Sequence, residues 1–396
     1  MTINLTPEIG SNFCYAPWTN IHINPQGDYK TCCAGTNPLV NLRQAPVQDA
    51  LTNPVLDEIK QALLNNQEHP NCKICINSEK HTSVSERTWY NNIAENKVIP
   101  IANTNDQVVQ NLDIRWNNTC NLSCVYCGGF ASSIWAQLER RPLERVDYGQ
   151  NLEGIIDHIN QHRSTIKNLG LLGGEPLLQK ENEALLDIID NNVHVNVITN
   201  LSVPLEKNKI FKRLVEMDNV TWDISFETVG KRFEYVRHGA SWSMMLKNIE
   251  LLRYATKDKP RQSANITGQY SIYNCLDLRD VIKYFIDHNM PMVRWNELTD
   301  PFILSPFSLP DHLIQRSIKE ITKALDYASK FNKFRYQTVQ KDFFTRQITN
   351  LQNTSNPGVD IEKLYTWHSR QEQRYWPDAE LKFENLWPEF RQNTLP

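Results

Sequence analysis

Hydrophobic positions in the middle of the chain follow two different periods in turn. Short apolar runs, typical of buried strands, occupy the segments 110–116, 166–172, 193–199, 220–226, 264–272 and 290–296. Between these runs, apolar residues recur at helical spacing, with stripes near 152–159, 177–190, 208–216, 242–252 and 278–286. The pattern therefore predicts six strand–helix alternations between residues 108 and 310.

This alternation predicts an α/β fold. Strands that alternate with helices form a parallel sheet with right-handed crossovers. A complete eight-stranded barrel takes roughly 250 residues, so six units within 108–310 favour a partial (β/α)6 TIM-type barrel. We predict a small cysteine-rich domain at 1–105, the partial barrel at 106–310, and a helical C-terminal extension at 311–396.

The composition argues against several classes of protein. The chain has 396 residues, 40% hydrophobic and 22% charged, and a formal net charge of -3, so it lacks the basic bias of a non-specific nucleic-acid binder. The N-terminal segment has no signal-peptide pattern, and no apolar run is long enough for a membrane span. We therefore expect a cytoplasmic protein without a membrane partner. Its 9 cysteines cannot all pair with one another, and we expect them to stay reduced.

Three of these cysteines fall within eight residues, in the stretch WNNTCNLSCVYCGGF. Cys120, Cys124 and Cys127 offer three thiols with no histidine nearby, whereas structural zinc sites take four ligands. The spacing CxxxCxxC, with the aromatic Tyr126 before the last cysteine, resembles the signature of the radical S-adenosylmethionine (SAM) superfamily. The resemblance implies a [4Fe-4S] cluster with one open iron, which SAM chelates. A structural zinc or a coincidental grouping is the alternative.

The resemblance extends to residues that follow the later strands. GGEP, at 173–176, is similar to the superfamily motif that receives the amino group of SAM, although alone it also fits a plain strand-to-helix turn. Ser225 stands where the superfamily contacts ribose, and Arg237 where it binds the SAM carboxylate; the alternative for Arg237 is a solvated charge. The implied SAM-binding residues are Tyr126, Gly173, Gly174, Glu175, Asn200, Ser225 and Arg237.

A second cysteine pattern lies near the N-terminus. Cys14, Gly27 and Cys32 are followed by Cys72 and Cys75 in a CxxC pair, which resembles the auxiliary iron–sulfur module called twitch or SPASM. In the better-known members this module follows the barrel, whereas here it precedes it. We predict a hairpin with Gly27 in its turn that brings Cys14 and Cys32 together. The four cysteines then hold a second [4Fe-4S] cluster, with a structural zinc as the alternative and with Cys33 able to replace Cys32.

Two clusters imply radical chemistry. The first, with SAM bound, delivers a low-potential electron that cleaves SAM to a 5'-deoxyadenosyl radical, and an external donor such as flavodoxin or ferredoxin supplies that electron. If all four cysteines bind the second, it has no open iron and is suited to take an electron from substrate, which the four-cysteine count favours; if one does not bind, the open iron is a site for the substrate. We expect oxidation, crosslinking or epimerisation of a peptide or protein side chain. The alternatives are the same chemistry on a small sugar-, amino acid- or nucleotide-like molecule, and a non-catalytic iron–sulfur or zinc scaffold.

Two features stay open at this stage. Cys275 follows the fifth predicted strand, where a thiol can donate a hydrogen atom to a substrate radical, but an inert core thiol explains it equally. The late aromatic residues of the extension indicate either packing against the barrel or a substrate lid. Since Cys14 lies so early, we expect no leader-binding unit ahead of it.

Overall fold

The structure is a computed structural model that describes residues 12–80, 85–95, 107–141, 148–331, 337–354 and 358–391. The chain divides into two compact units. The first comprises Met1–Cys120, Pro142–Ile198 and Glu206–Val220, and the second comprises Asn121–Arg141, Thr199–Leu205 and Thr221–Pro396. None of the helices in these ranges is long and apolar enough to cross a membrane. The predicted domain limits at 105 and 310 stay predictions.

The strands of the barrel region follow the predicted pattern. In chain order the described residues form β1 to β9: Asn20–Ile23, Asp28–Lys30, Val40–Asn41, Asn111–Ile114, Asn168–Leu171, His194–Thr199, Val220–Ser225, Ser263–Tyr270 and Met292–Glu297. The last six, β4 to β9, coincide with the six predicted runs. Buried and partly exposed residues alternate along β6, as expected where one face packs on helices and the other is polar.

The helices lie between these strands and beyond them. In chain order, α1 to α16 are Ala16–Thr19, Val47–Leu51, Pro54–Leu64, Lys73–Glu79, Glu86–Glu95, Ser133–Leu138, Asn151–Gln161, Glu181–Ile188, Lys209–Glu216, Gly230–Val236, Trp242–Thr256, Leu278–Asp287, Asp311–Ser329, Gln337–Gln352, Ile361–Tyr375 and Phe383–Leu386. Short 3-10 helices span Pro70–Cys72, Pro176–Leu178, Phe302–Leu304, Pro306–Ser308 and Pro388–Phe390.

One predicted helix begins later than expected. The pattern indicated a helix over 177–190, but α8 begins at Glu181, because Gln179 has an extended backbone. The side chain of Gln179 is used instead to hold a neighbouring segment: its Oε1 accepts from Trp116 N at 3.1 Å, and its Nε2 donates to Asn117 O at 3.2 Å. A tertiary contact thus overrides the helical pattern.

In the first unit the N-terminal segment and the barrel strands share one sheet, in the order β3-β2-β1-β4-β5-β6. The predicted hairpin is confirmed: β1 and β2 pair antiparallel, with His22 opposite Lys30, and Gly27 has a φ of 83° in the turn. β1 also pairs parallel to β4, with His22 opposite Asp113. β4, β5 and β6 continue in parallel. The N-terminal region is therefore an extension of the barrel sheet.

The second unit contains the parallel strands β7, β8 and β9 and the C-terminal helices. Asn208, in the first unit, and Ser241, in the second, cap α9 and α11 through their side-chain oxygens. In the second unit, Phe383, Trp387 and Phe390 are each 1% exposed, and Phe383 stacks on Trp387 with ring centroids 5.2 Å apart. For these three residues, the packing interpretation of the late aromatics is confirmed.

Candidate functional site

The segment that leads into the first cysteine is tightly fixed within the first unit. β4 ends at Ile114, and Trp116, just beyond it, is fully buried. The indole Nε1 of Trp116 donates to Asn182 Oδ1 at 2.8 Å, and the Tyr148 hydroxyl donates to Trp116 O at 2.8 Å. Cys120 therefore follows a short segment whose start is held from two sides.

GGEP packs directly against the residues that precede Cys120. Glu175 N donates to Thr119 O at 2.7 Å, and a Cβ added to Gly174 would lie 2.2 Å from that same oxygen. Gly173 has a φ of 116°, in the region that favours glycine. The glycines thus permit close approach to the protein's own backbone. The Glu175 side chain is fully buried, and its Oε1 accepts from Leu177 N at 3.1 Å, which caps a 3-10 helix.

In the second unit, backbone hydrogen bonds hold the rest of the cysteine loop. Ser123 N donates to His238 O and Val125 N donates to Val236 O, both at 2.9 Å. The Trp135 indole Nε1 donates to Cys124 O at 2.8 Å. These bonds fix the loop around the buried Cys124 against the segment at the end of α10, which carries Arg237.

The guanidinium of Arg237 is the centre of a buried polar network beside Cys124. Its Nε and Nη2 donate to the two carboxylate oxygens of Glu227 at 2.8 and 2.7 Å. Nη2 also donates to the Tyr126 hydroxyl at 2.8 Å, and that hydroxyl donates to Glu227 at 2.8 Å. Nη1 lies 3.9 Å from Cys124 Sγ. Arg237 is only 5% exposed, so the solvated-charge interpretation is wrong.

The network keeps a positive charge next to the cysteine loop. Burial alone would lower the pKa of Arg237, but Glu227 and Tyr126 raise that pKa well above its ordinary value. Burial raises the pKa of the Cys127 thiol, and Gly128 and Arg237 oppose this change. A fixed cation near the thiols favours their thiolate forms, which are the forms that bind iron. The residues of this loop therefore fit a cluster ligand set.

Two other predicted SAM-binding residues also lie in the second unit. Asn200, just after β6, donates through Nδ2 to Asn121 Oδ1 at 3.0 Å and accepts from Ser202 N at 2.8 Å. Asn121, next to Cys120 in the chain, is thereby linked to the end of β6. Ser225 is the last residue of β7 and is half-buried. Their roles toward SAM stay predictions.

The four N-terminal cysteines line one cavity of the first unit: Cys14, Cys32, Cys72 and Cys75. Cys32 is in the lining and Cys33 is not among the residues found there. The backbone next to Cys14 is held by Asn91, which accepts from Tyr15 N at 3.1 Å and donates to Phe13 O at 2.9 Å. The four thiols thus line one cavity from four segments: the residues before β1, the end of the hairpin, the 3-10 helix Pro70–Cys72 and α4.

The cavity that the four cysteines line is larger than one water molecule. Across the described ranges, no set of three or more His, Cys, Asp or Glu side chains is placed to hold a single metal ion. The cavity offers about 30 Å³ to the centre of a water-sized sphere, more than the roughly 10–15 Å³ that one water needs. The cluster and the zinc interpretations of these four cysteines both stay predictions.

Three of the cavity thiols, those of Cys14, Cys32 and Cys72, have raised pKa values in the absence of a cation. Burial, and then the neighbouring Cys75, raises the pKa of Cys32 to about 12 and that of Cys72 to about 11. Burial and the thiol of Cys32 also raise the pKa of Cys14. Binding of a cationic iron core offsets both effects, so loading of this site releases protons and becomes more favourable as pH rises.

The two remaining cysteines, Cys33 and Cys275, are not among the residues that line that cavity. Burial raises the pKa of Cys33, whose surroundings include Glu86 and Asp113. Cys275 is fully buried in the second unit, and its Sγ donates weakly to Ile272 O at 3.8 Å. This burial favours the core interpretation of Cys275 over the hydrogen-donor interpretation.

Glu227 is the site residue that sequence reasoning missed as a partner of Arg237. Its position on the same strand face as Asp223 and Ser225 was a usable signal, since the two-residue period places all three side chains on one side. The pairing with Arg237 had no local signal. Asn71, which precedes Cys72 and lines the cysteine cavity, also had no sequence pattern that marked it as a residue of the site.

Two family profiles match the chain. Residues 114–270 match the "Radical SAM superfamily", and residues 14–76 match SPASM, described as an "Iron-sulfur cluster-binding domain". Residues 114–270 thus belong to the radical SAM superfamily. The SPASM match precedes the radical SAM match in the sequence, and the parallel sheet is typical of a radical SAM partial barrel. The predicted fold class is confirmed.

Similarity to individual proteins is more distant. No curated protein matches the sequence. The radical SAM chain is similar to the solved structure "Native anSMEcpe with bound AdoMet and Cp18Cys peptide", at 15% identity and a TM-score of 0.41, over 55% of this chain and 60% of that one. It is also similar to "Streptococcus suis SuiB bound to S-adenosylmethionine", at 14% identity and a TM-score of 0.32, over 53% and 42% of the two chains. The chain thus spans less than two thirds of either.

Proposed function

We propose that this radical SAM enzyme removes a hydrogen atom from a peptide or protein side chain, and that an auxiliary [4Fe-4S] cluster accepts an electron from the substrate radical. The observation that carries the proposal is the convergence of Cys14, Cys32, Cys72 and Cys75 on one cavity. Four thiolates satisfy all four irons of such a cluster. A cluster without an open iron is suited to electron transfer and not to substrate binding.

The assignment of the catalytic cluster to Cys120, Cys124 and Cys127 rests on their spacing and on the loop that carries them. When bound there, the cluster supplies the low-potential electron that cleaves SAM to methionine and the 5'-deoxyadenosyl radical. The chain's own residues prepare the site: GGEP holds the backbone before Cys120, and Arg237 places a positive charge beside Cys124.

The electron balance gives the auxiliary cluster its role. Loss of a hydrogen atom leaves the substrate one electron oxidised, and transfer of a second electron, with a proton released to solvent, completes a two-electron oxidation. We propose that the auxiliary site takes this second electron. A low-potential protein such as flavodoxin or ferredoxin supplies the electron that starts each cycle.

A peptide or protein substrate is proposed from the resemblance of the SPASM module, whose relatives act on ribosomal peptides and sulfatases and also on aminocyclitols and nucleotides. A small sugar-, amino acid- or nucleotide-like substrate is the competing outcome. Incubation with pooled peptides, and separately with pooled sugars, amino acids and nucleotides, distinguishes them by which pool accelerates SAM cleavage. Acceleration only by the small molecules would contradict the peptide assignment.

The cluster assignments are tested by anaerobic reconstitution with iron, sulfide, SAM and a reductant. We expect 5'-deoxyadenosine from the native chain and none from the variant with Cys120, Cys124 and Cys127 all replaced by alanine. That variant should keep about four irons per chain, the content of one [4Fe-4S] cluster. The Cys33→Ala variant is the matched control and should match the native chain in both measurements.

Three results would overturn the assignments. Formation of 5'-deoxyadenosine by the triple variant at the native rate would remove Cys120, Cys124 and Cys127 from catalysis. Absence of iron, or one zinc per chain, in that variant would reject the auxiliary cluster. No 5'-deoxyadenosine from the native chain under any reductant would favour the non-catalytic scaffold.

A further inference from the structure

A buried amide next to the auxiliary cysteines has a hydrogen-bond donor without a partner. Asn71 is the middle residue of the 3-10 helix Pro70–Cys72, is 2% exposed, and belongs to the lining of the cysteine cavity. Its Nδ2 is buried and lacks a hydrogen-bond partner among the described residues. Buried polar groups are almost always hydrogen-bonded, so this donor requires an explanation.

The orientation of the amide is fixed by its other end. Asn71 Oδ1 accepts from Asn37 N at 2.6 Å and from Thr36 Oγ1 at 3.0 Å. A backbone N–H is only a donor, so the oxygen of the amide must face Asn37 and the NH2 group must face away from it. If the oxygen and the nitrogen of the amide were exchanged, Asn71 Nδ2 would face Asn37 N, and two hydrogen-bond donors would point at each other.

The surrounding backbone holds Asn71 in this position. Thr36 N donates to Asn71 O at 3.2 Å, so the 36–37 segment contacts Asn71 through both its backbone and its side chain. Gly35 N donates to Cys32 O at 3.0 Å, which connects the same segment to one of the cavity cysteines. A Cβ on Gly35 would lie 3.8 Å from Asn71 Nδ2. The amide is therefore set in a rigid turn between Cys32 and Cys72.

We propose that Asn71 Nδ2 donates a hydrogen bond to a sulfur of the auxiliary cluster and thereby raises the reduction potential of that cluster. This inference rests on the proposed auxiliary cluster. Hydrogen bonds to cluster and cysteine sulfurs are among the factors that set iron–sulfur potentials. The reduced cluster carries one more negative charge, so a donor stabilises it more than the oxidised cluster. Asn71 thus makes the cluster a better acceptor of a substrate electron.

The test uses the variant with Cys120, Cys124 and Cys127 replaced by alanine, in which only the auxiliary cluster remains. In that background, Asn71→Leu removes the donor, and Asn71→Asp keeps the acceptor for Asn37 N but replaces the donor with a charged oxygen. A potentiometric titration followed by electron paramagnetic resonance measures the midpoint potential. Asn41→Leu is the matched control, since Asn41 makes three hydrogen bonds in the nearby hairpin and is not among the cavity-lining residues.

We expect Asn71→Leu to retain about four irons. At a fixed potential it should lower the ratio of reduced to oxidised cluster about tenfold, which corresponds to a midpoint potential about 59 mV lower for one electron. Asn71→Asp should lower it further because of its negative charge, and Asn41→Leu should leave it unchanged. If Asn71→Leu holds four irons and has an unchanged midpoint potential, the proposed role of Asn71 is overturned and the auxiliary cluster is not. A triple variant without iron would overturn the auxiliary cluster as well.

A second measurement needs no change at Asn71. The reduced auxiliary cluster of the triple-cysteine variant, with its asparagine side chains labelled with ¹⁵N, should show magnetic coupling to a side-chain amide nitrogen and to its exchangeable protons. Absence of both couplings in a variant that holds four irons would also overturn the hydrogen bond.

Discussion

Removal of the Glu227 carboxylate should destabilise the second unit more than any loss of a surface ion pair. In the native chain Glu227 accepts from Arg237 through two hydrogen bonds of 2.8 and 2.7 Å, and the two side chains are only 2% and 6% exposed. Glu227→Ala leaves the guanidinium buried with no carboxylate to balance its charge. The guanidinium cannot lose its proton, so the full cost of the buried charge remains.

The expected magnitude follows from this burial. Removal of one partner from a buried ion pair costs about 3–5 kcal/mol, because the remaining charge stays in a medium of low dielectric constant. Removal of both partners by apolar residues of similar size costs far less. We therefore expect Glu227→Ala to lose about 3–5 kcal/mol, and the double variant Glu227→Leu with Arg237→Met to recover most of that loss.

Urea unfolding of the metal-free protein, followed by tryptophan fluorescence, measures the effect. The second unit offers a control with matched geometry, because Arg391 donates to both carboxylate oxygens of Glu362 at 2.8 Å, but these side chains are 45% and 65% exposed. Glu362→Ala should leave the unfolding midpoint almost unchanged, since exposed pairs contribute little. Equal midpoints for Glu227→Ala and Glu362→Ala would refute the argument from burial.

Three further predictions concern other parts of the chain. Gly174→Ala should lower the iron content of the catalytic cluster and spare the auxiliary cluster, since its methyl group would lie 2.2 Å from Thr119 O. Gly154→Ala, which has open space around it, should lower the iron content of neither cluster. Iron analysis of each variant, with and without the catalytic cysteines, measures both effects. Burial lowers the pKa of His368 from 6.5 to about 3, so between these pH values the unfolded state binds a proton that the folded state does not. The free energy of unfolding should therefore fall by up to about 1.4 kcal/mol per pH unit from pH 6.5 toward 3. His368→Gln should reduce this dependence of the urea midpoint on pH, and an unchanged dependence would contradict the prediction. Cys275→Ala should leave product and 5'-deoxyadenosine yield unchanged, because the thiol is fully buried, and a stalled product would restore its role as hydrogen donor.

The barrel could be predicted because its signals are local. Each of the strands β4 to β9 is a short apolar run bounded by polar residues, and a parallel sheet follows from their alternation with helices. The turn at Gly27 and the cysteine spacings are local in the same sense. The start of α8 was not predictable, because the hydrogen bonds of Gln179 to the segment at 116–117 are absent from any helical period.

The polar partners of the site could not be predicted for a related reason. Tyr126 lies 101 residues before Glu227, and only the fold brings them to hydrogen-bond distance. The strand period placed Glu227 on the same face as Ser225, but it contained nothing about α10 or Arg237. Asn71 shows the same limit, since its amide is fixed by Asn37, 34 residues earlier. Sequence patterns thus gave the cysteines proposed as cluster ligands and missed the polar residues that the structure places around them.

The pairing of β1 with β4 joins the N-terminal hairpin to the barrel sheet of the first unit. β1 and β4 run parallel, and Cys120 follows β4, whereas Cys32 follows β2, which runs back antiparallel to β1. Cys32 and Cys120 therefore follow strands that leave the sheet of the first unit at opposite ends. Four residues at about 3.3 Å each separate those ends by about 13 Å. Between them, His22 and Asp113 lie opposite each other, and His22 Nδ1 contacts Asp113 Oδ2 at 2.9 Å. The hairpin that leads to Cys32 and the strand that leads to Cys120 are thus parts of one sheet in the first unit, so the position of the SPASM match ahead of the radical SAM match does not separate them in the fold.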